Sequence, residues 1–290
     1  MNQTHGPRAL ISMTQAQKAD ALLQLHHAAT PIVLINAWDA ASAAMVQQGG
    51  MPAVATSSAA VANSLGYPDG QLVPWPEMLA AIARIARAVT LPVTADIESG
   101  FSADAKQLES SIEQVIDAGA VGVNLEDAPP GREHSTSLYP LPEQIARIQA
   151  ARRAAARLNV HLVINARVDA YWHVPGESVD ALPETLERAQ AYLKAGADCI
   201  FVPGLRNPDH IRTVVDRLRA PVNILATAGA PSIPELARLG VKRVSYGSGP
   251  HRAAMGLFRR IVAEARASGT YNALLDGAVP YPEMNGLFAK

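Results

Sequence analysis

Pro92-Val-Thr-Ala-Asp-Ile-Glu-Ser-Gly100 carries a short β-branched run into a turn closed by glycine, and about 25 residues on Ala120-Val-Gly-Val-Asn-Leu-Glu-Asp127 does the same. Between them, 104–118 has the spacing of an amphipathic helix, and Gly119 stands where a helix C-terminus favours glycine. Strand, helix, strand is the unit of a parallel sheet. Working outward, the same unit recurs. Apolar runs fall at Ile32–Asn36, Ala53–Thr56, Val93–Asp96, Gly122–Glu126, Leu162–Arg167, Cys199–Val202, Val222–Leu225 and Arg243–Tyr246. Helical stretches are predicted near 39–48, 76–88, 104–118, 142–158, 180–195, 208–218, 232–238 and 250–267, and a first helix over 14–27 has Thr14 as its N-cap. Eight alternations predict a closed (β/α)8 barrel of the TIM type, with an extra N-terminal helix and a helical C-terminal tail. The competing architecture is an open doubly wound sheet. Its dinucleotide fingerprint is missing, because Asn36-Ala-Trp-Asp-Ala-Ala follows the first run where glycines would be needed. We therefore expect one barrel domain over 1–269 and a tail over 270–290.

Composition narrows the function. The chain has 290 residues, 49% of them hydrophobic, and a net charge of −1, so it offers no basic footprint for nucleic acid or for a membrane surface. No uninterrupted apolar stretch approaches the roughly 18 residues of a membrane span. A cytoplasmic protein with a small-molecule partner is the expectation. The single cysteine, Cys199, sits in a run that reads as a buried strand, so it is expected to be a structural thiol.

In such barrels the chemistry gathers where strands end. Those positions here hold Asn36 and Asp39; Thr56, Ser57 and Ser58, with Asp69 in the loop beyond; Asp96 and Glu98; Glu126 and Asp127; and Asn165, Arg167 and Asp169. Residues two apart on an extended segment face the same way, so Asp96 and Glu98 present paired carboxylates, and a neighbouring strand would add Glu126. Converging acids want a cation, though the strand ends could equally carry solvated acids or helix caps. Arg167 is either a structural partner of these acids or a fork for a substrate carboxylate. No lysine lies at the C-terminal end of a predicted strand, against a Schiff-base mechanism, and no His-x-x-x-His pair suggests zinc. Oxygen ligands alone point to Mg²⁺ or Mn²⁺. Gly247-Ser-Gly-Pro250 reads as a phosphate cradle or as an ordinary turn.

Taken in order, Asn36-Ala-Trp-Asp-Ala-Ala-Ser-Ala43, Thr56-Ser-Ser58, Leu65-Gly-Tyr-Pro-Asp-Gly70, Asp96-Ile-Glu-Ser-Gly-Phe101, Asn124-Leu-Glu-Asp127, Asn165-Ala-Arg-Val-Asp-Ala170 and Ala195-Gly-Ala-Asp-Cys-Ile-Phe201 resemble the isocitrate lyase and phosphoenolpyruvate mutase superfamily. The resemblance implies a Mg²⁺-dependent enzyme acting on a 2-oxo acid or its enolate. It implies that Asp96, Glu98 and Glu126 form the metal shell, that Asp69 approaches the metal through water, that Ser57, Ser58 and Asn165 bind substrate, and that Arg167 lies near the reacting centre. It also implies dimers or tetramers that exchange C-terminal helices, for which the apolar residues from Tyr271 to Phe288 are suited.

The departures are specific. The lyases carry a cysteine in a Lys-Lys-Cys-Gly-His or Lys-Arg-Cys-Gly-His loop after the Glu-Asp strand, and the mutases carry a lysine there. Here Ala128-Pro-Pro-Gly-Arg-Glu-His-Ser-Thr-Ser-Leu-Tyr139 has neither. Glu133, His134 and Tyr139 are its titratable candidates, with His134 the substitute catalyst if there is one. Pro203 and Leu225 stand where the lyases place a glutamate and an asparagine. Chemistry that needs no delivered proton survives these losses, so decarboxylation of an oxaloacetate-like acid ranks first. A divergent phosphonomutase, a phosphate-handling isomerase using Ser248 and Gly249, and a non-catalytic 2-oxo acid binding protein are the alternatives.

Overall fold

The computed structural model describes residues 13–130, 138–173 and 181–289. Its strands are β1 (Ile32–Leu34), β2 (Asn36–Ala37), β3 (Val54–Thr56), β4 (Val93–Asp96), β5 (Gly122–Glu126), β6 (Val163–Arg167), β7 (Cys199–Phe201), β8 (Val222–Leu225) and β9 (Arg243–Ser245). The helices are α1 (Gln15–His26), α2 (Ala40–Gln48), α3 (Ser58–Leu65), α4 (Trp75–Ala88), α5 (Ala105–Asp117), α6 (Leu141–Arg157), α7 (Ala170–His173), α8 (Ala181–Ala195), α9 (Pro208–Leu218), α10 (Ile233–Arg238), α11 (Gly249–Ser268), α12 (Asn272–Leu275) and α13 (Tyr281–Gly286).

All strand pairs are parallel, and neighbours in the sheet are neighbours in the chain except where β1 meets β9. The expected eight runs appear as nine strands because the first breaks at Ile35. Its first part pairs with β9, Ile32 opposite Arg243, and its second with β3, Asn36 opposite Ala55. The ring closes through that run, so there are eight staves and the architecture is a (β/α)8 barrel rather than an open sheet. Asn36 fastens the seam: Nδ2 donates to the Thr56 carbonyl at 2.6 Å, and Oδ1 accepts from the Tyr246 and Gly247 N–H groups at 2.8 and 2.9 Å.

Residues facing out of the ring, such as Val123, Leu125, Ile164, Ile200, Ile224 and Val244, are fully buried beneath the helices. α5 shows why the helices dock. Asp104 accepts from the Lys106 and Gln107 N–H groups to start it, and Leu108, Ile112, Val115 and Ile116 form one buried face. α1, opened by a reciprocal Thr14–Gln17 capping box, buries Ala19, Leu22 and His26 against the strand starts. A Cβ at Gly122 would stand 2.9 Å from both Leu22 Cδ2 and Thr94 Oγ1, so bare backbone there lets α1 seat. Cys199 is buried, and that burial pushes its thiol up to about 12, which suits a structural role.

Two features differ from expectation. The segment after β3 is helical, as α3, where a loop was expected. The eighth barrel helix, α11, buries only His251 and leaves Met255, Phe258 and Val262 in a half-exposed apolar stripe, so the uncovered surface begins well before the tail. No helix among the described residues is long and apolar enough to cross a membrane.

Candidate active site

The C-terminal ends of the strands surround a cavity of about 760 Å³. Asp69, Asp96, Glu98, Glu126 and Arg167 line it, with Ser57 and Ser58. Asp96 ends β4, and its position is fixed twice. Its N–H donates to Thr56 Oγ1 at 2.8 Å, and its Oδ2 accepts from the N–H and hydroxyl of Ser58 at 3.0 and 2.9 Å. Ser58 N–H is thus engaged by an acid here, while Ser57 is the N-cap of α3.

Glu98 is held by a strained turn. Its φ is +51°, and Gly100 and Phe101 follow at +99° and +49°, conformations that L side chains avoid. The turn is clamped from outside. Gln71 Oε1 accepts from Ser99 Oγ and Phe101 N–H at 2.9 and 3.0 Å, and the buried Arg147 guanidinium donates to the Ser99 carbonyl and to Ser102 Oγ. A Cβ at Gly100 would collide with Leu108 Cδ1 at a φ of +99°, so any other residue there would be strained and would displace Leu108.

Arg167 ends β6 with its fork spread between two acids: Nη1 is 2.6 Å from Glu126 Oε2, and Nε donates to Asp169 Oδ1 at 2.6 Å. Trp172 covers one face, its ring 4.5 Å from Cζ. Burial works against the guanidinium charge, but Asp169 and Glu126 outweigh it and raise its pKa. Behind it, Asp127 is fully buried, and that burial, reinforced by Asp169, pushes its carboxyl up to about 7. Asp127 accepts from Tyr192 Oη at 2.7 Å and from the Asp169 N–H at 2.9 Å, so α8 braces the arginine's partner.

Several sequence expectations change place. Asn165 lies beneath the cavity rather than in its wall: it is fully buried, one layer deeper than Arg167 on the same face of β6, and donates to Asn124 Oδ1 at 2.8 Å. Asn124 is the one that reaches the cavity. Asp39 caps α2 through Ser42. His134 and Glu133 lie outside the described residues. Tyr139 is an anchor, its N–H donating to the Asp127 carbonyl at 2.8 Å and its ring 4.9 Å from Arg147 Cζ. The phosphate-cradle reading loses two of its donors, since Gly247 N–H goes to Asn36 Oδ1 and Gly249 N–H to the Tyr246 carbonyl.

Does the acid group fit a dication? Burial, then Asp69 and Asp96, pushes Glu98 up to about 8, and burial raises Glu126 against the pull of Arg167. Asp96 Oδ1 and Glu98 Oε1 are buried without a hydrogen-bond partner. Orphaned oxygens whose charge is resisted are what a hard cation relieves. No three His, Cys, Asp or Glu side chains among the described residues close on one point, so water would complete the shell, as Mg²⁺ tolerates. The residues fit Mg²⁺ or Mn²⁺ on those terms.

The chain is similar to known proteins over most of its length. The phosphoenolpyruvate phosphomutase family model matches residues 22–266. A 2-methylisocitrate lyase from Shewanella oneidensis is 31% identical over 255 residues, 85% of this chain and 84% of the relative. An oxaloacetate decarboxylase from Pseudomonas putida is 33% identical over 205 residues, 68% of this chain and 67% of the relative. The crystal structure of a Burkholderia cenocepacia protein, provisionally assigned as a lyase or mutase, superposes with a TM-score of 0.87 at 38% identity, covering 95% of this chain and 97% of that one. With the barrel, the acid turn at Asp96–Gly100 and the Arg167 fork in their expected places, the chain belongs to the phosphoenolpyruvate phosphomutase family of the isocitrate lyase and phosphoenolpyruvate mutase superfamily.

Proposed function

We propose that the protein is a carbon–carbon lyase that decarboxylates a 3-carboxy-2-oxo acid of the oxaloacetate type. One observation carries the reading: an acid cluster and an arginine fork share the cavity, while the loop over 128–139 lacks both the cysteine and the lysine that related chemistry needs. The described residues lining the cavity also include no lysine, histidine or cysteine. The Pseudomonas putida relative supports the choice.

Asp96, Glu98 and Glu126 would hold Mg²⁺ or Mn²⁺, with Asp69 beyond a water, and the ion would supply Lewis-acid polarisation of the 2-oxo group. The chain's own residues supply position. The Ser57 hydroxyl and Arg167 hold the substrate's C1 carboxylate and orient the C3–C4 bond, since the N–H groups of Ser57 and Ser58 are taken by the Ala37 carbonyl and Asp96. That bond breaks, its electron pair enters the C2–C3 bond to give the enolate, CO₂ departs, and C3 takes a proton from water. No residue has to deliver a proton to the leaving group.

We also propose that the stripe at Met255, Phe258 and Val262, with the segment from Tyr271 to Phe288, packs on a second copy of the chain as a dimer or tetramer. The test of activity is pyruvate formation from oxaloacetate with Mg²⁺, corrected for the spontaneous reaction. Several turnovers per second, an ordinary enzymatic rate, are expected, with none from isocitrate or 2-methylisocitrate. Glyoxylate released from isocitrate at that rate would show that the missing cysteine does not matter.

A further inference from the structure

The wall across the cavity from the acids is apolar, and the topology says what it faces. In a ring of eight staves, β7 stands four places from β3 and β8 four places from β4. Phe201, ending β7, therefore looks toward Ser57, and Leu225, ending β8, toward Asp96; both line the cavity, with Ala226 beside them. Trp172 extends this wall and is 52% exposed. It rests on Gly204, where φ is +83° and a Cβ would stand 2.7 Å from Trp172 Cδ1. Backbone and ring together exclude a side chain there, so the tryptophan has a built seat. Trp172, Phe201, Leu225 and Ala226 line one cavity, and apolar side chains grouped there mark a binding surface where a single exposed one would not.

We propose that Phe201, Leu225 and Trp172 form the subsite for the substituent on C3 of the substrate, and that it takes an uncharged, apolar group. This rests on the reading of the site as a 2-oxo acid site, with C1 held between Ser57 and Arg167 and the oxo group toward the acids of β4 and β5, so that C3 is directed toward β7 and β8. A cavity of about 760 Å³ suits a ligand larger than a four-carbon acid. The preferred substrate is then an oxaloacetate bearing an alkyl or aryl group on C3. The bond changes are those given above, and the product is the correspondingly substituted 2-oxo acid.

Such products are stable and serve as probes. Calorimetry with Mg²⁺ would compare oxalate, which has no C3, with pyruvate, 4-methyl-2-oxopentanoate, phenylpyruvate and 2-oxoglutarate. The two apolar acids should bind at least about tenfold tighter than pyruvate, the discrimination typical of an apolar pocket. Leu225→Asn should remove most of that advantage while leaving oxalate within about twofold, as for independent sites. Trp172→Ala should also flatten the series. Oxalate binding with no preference along the series would overturn the subsite. So would 2-oxoglutarate binding tighter than 4-methyl-2-oxopentanoate, which would assign the wall to the exposed rim cations Arg206 and Arg252. Failure of oxalate to bind at all would overturn the underlying reading of the site.

Discussion

His26 should make the barrel lose stability in mild acid, by an amount that its surroundings fix. It ends α1, has no exposed surface, and its Nδ1 lies 2.8 Å from the Leu22 carbonyl while Nε2 lies 3.4 Å from Arg243 Nη1. The carbonyl needs a donor and the guanidinium an acceptor, so the ring is neutral with its proton on Nδ1. A second proton would set two buried cations face to face, and burial, then Arg243, lowers the His26 pKa from 6.5 to about 4. The unfolded chain therefore takes up the proton first. Stability is unaffected above about pH 6.5, falls at up to about 1.4 kcal/mol per pH unit below it, and levels off near pH 4, an upper limit of roughly 3 kcal/mol. His26→Gln keeps an acceptor for Arg243 but cannot titrate. Urea unfolding of both proteins between about pH 4.5 and 7.5 gives a difference curve that isolates this group. Glu98 and Asp127, raised to about 8 and about 7, contribute with the opposite sign, but equally in both proteins. A difference curve that stays flat below pH 6.5 would show that His26 is not held neutral.

Three further outcomes are expected. Mg²⁺ should raise the melting temperature and EDTA lower it; Asp96→Asn should abolish that response, whereas Asp104→Asn, at the α5 N-cap where asparagine serves as well, should keep it, and equal loss in both would refute the metal site. Arg167→Lys retains charge but loses the fork to Glu126 and Asp169, so oxalate affinity should fall alongside a loss of about 1–3 kcal/mol in stability; a stability loss with oxalate binding intact would make Arg167 purely structural. Sedimentation at micromolar concentration should show an oligomer that dissociates on truncation after Gly269 or on Phe258→Glu, and a monomeric wild-type chain would refute the exchange.

Strand and helix positions were legible because both periodicities are strong and glycines mark the helix ends: Gly119, Gly196 and Gly240 all adopt positive φ where helices stop. Asp96 and Glu126, which end strands, were legible because position on a strand fixes which face a side chain takes, whereas Glu98 reaches the same cavity through a turn with positive φ that strand alternation does not foresee. Depth was not. Asn165 and Arg167 share a face, and only the layering of the closed ring decides that one is beneath the floor and the other in the wall. Partner choice was not legible either. Ser58 donating to Asp96, and Trp172 lying on Arg167 and Gly204, depend on which staves adjoin and on how loops fold back over them. The break at Ile35 is likewise invisible in an unbroken apolar run.

That break has a bearing on how the chain is made. Ile32 pairs with Arg243, so the first strand waits on the last, and the seam joins residues separated by most of the sequence. At roughly 5–20 residues per second, synthesis delays that closure by about ten seconds or more after the first strand emerges. During that interval Ile32–Leu34 is an unpaired edge on an incomplete sheet, open to pairing with another nascent chain. Asn36, which needs Thr56 on one side and the Tyr246–Gly247 backbone on the other, can satisfy only one of its two partners until the ring shuts. It is thus a latch that distinguishes a finished barrel from an open one, and the exposed stripe of α11 leaves the ribosome only after that latch can close.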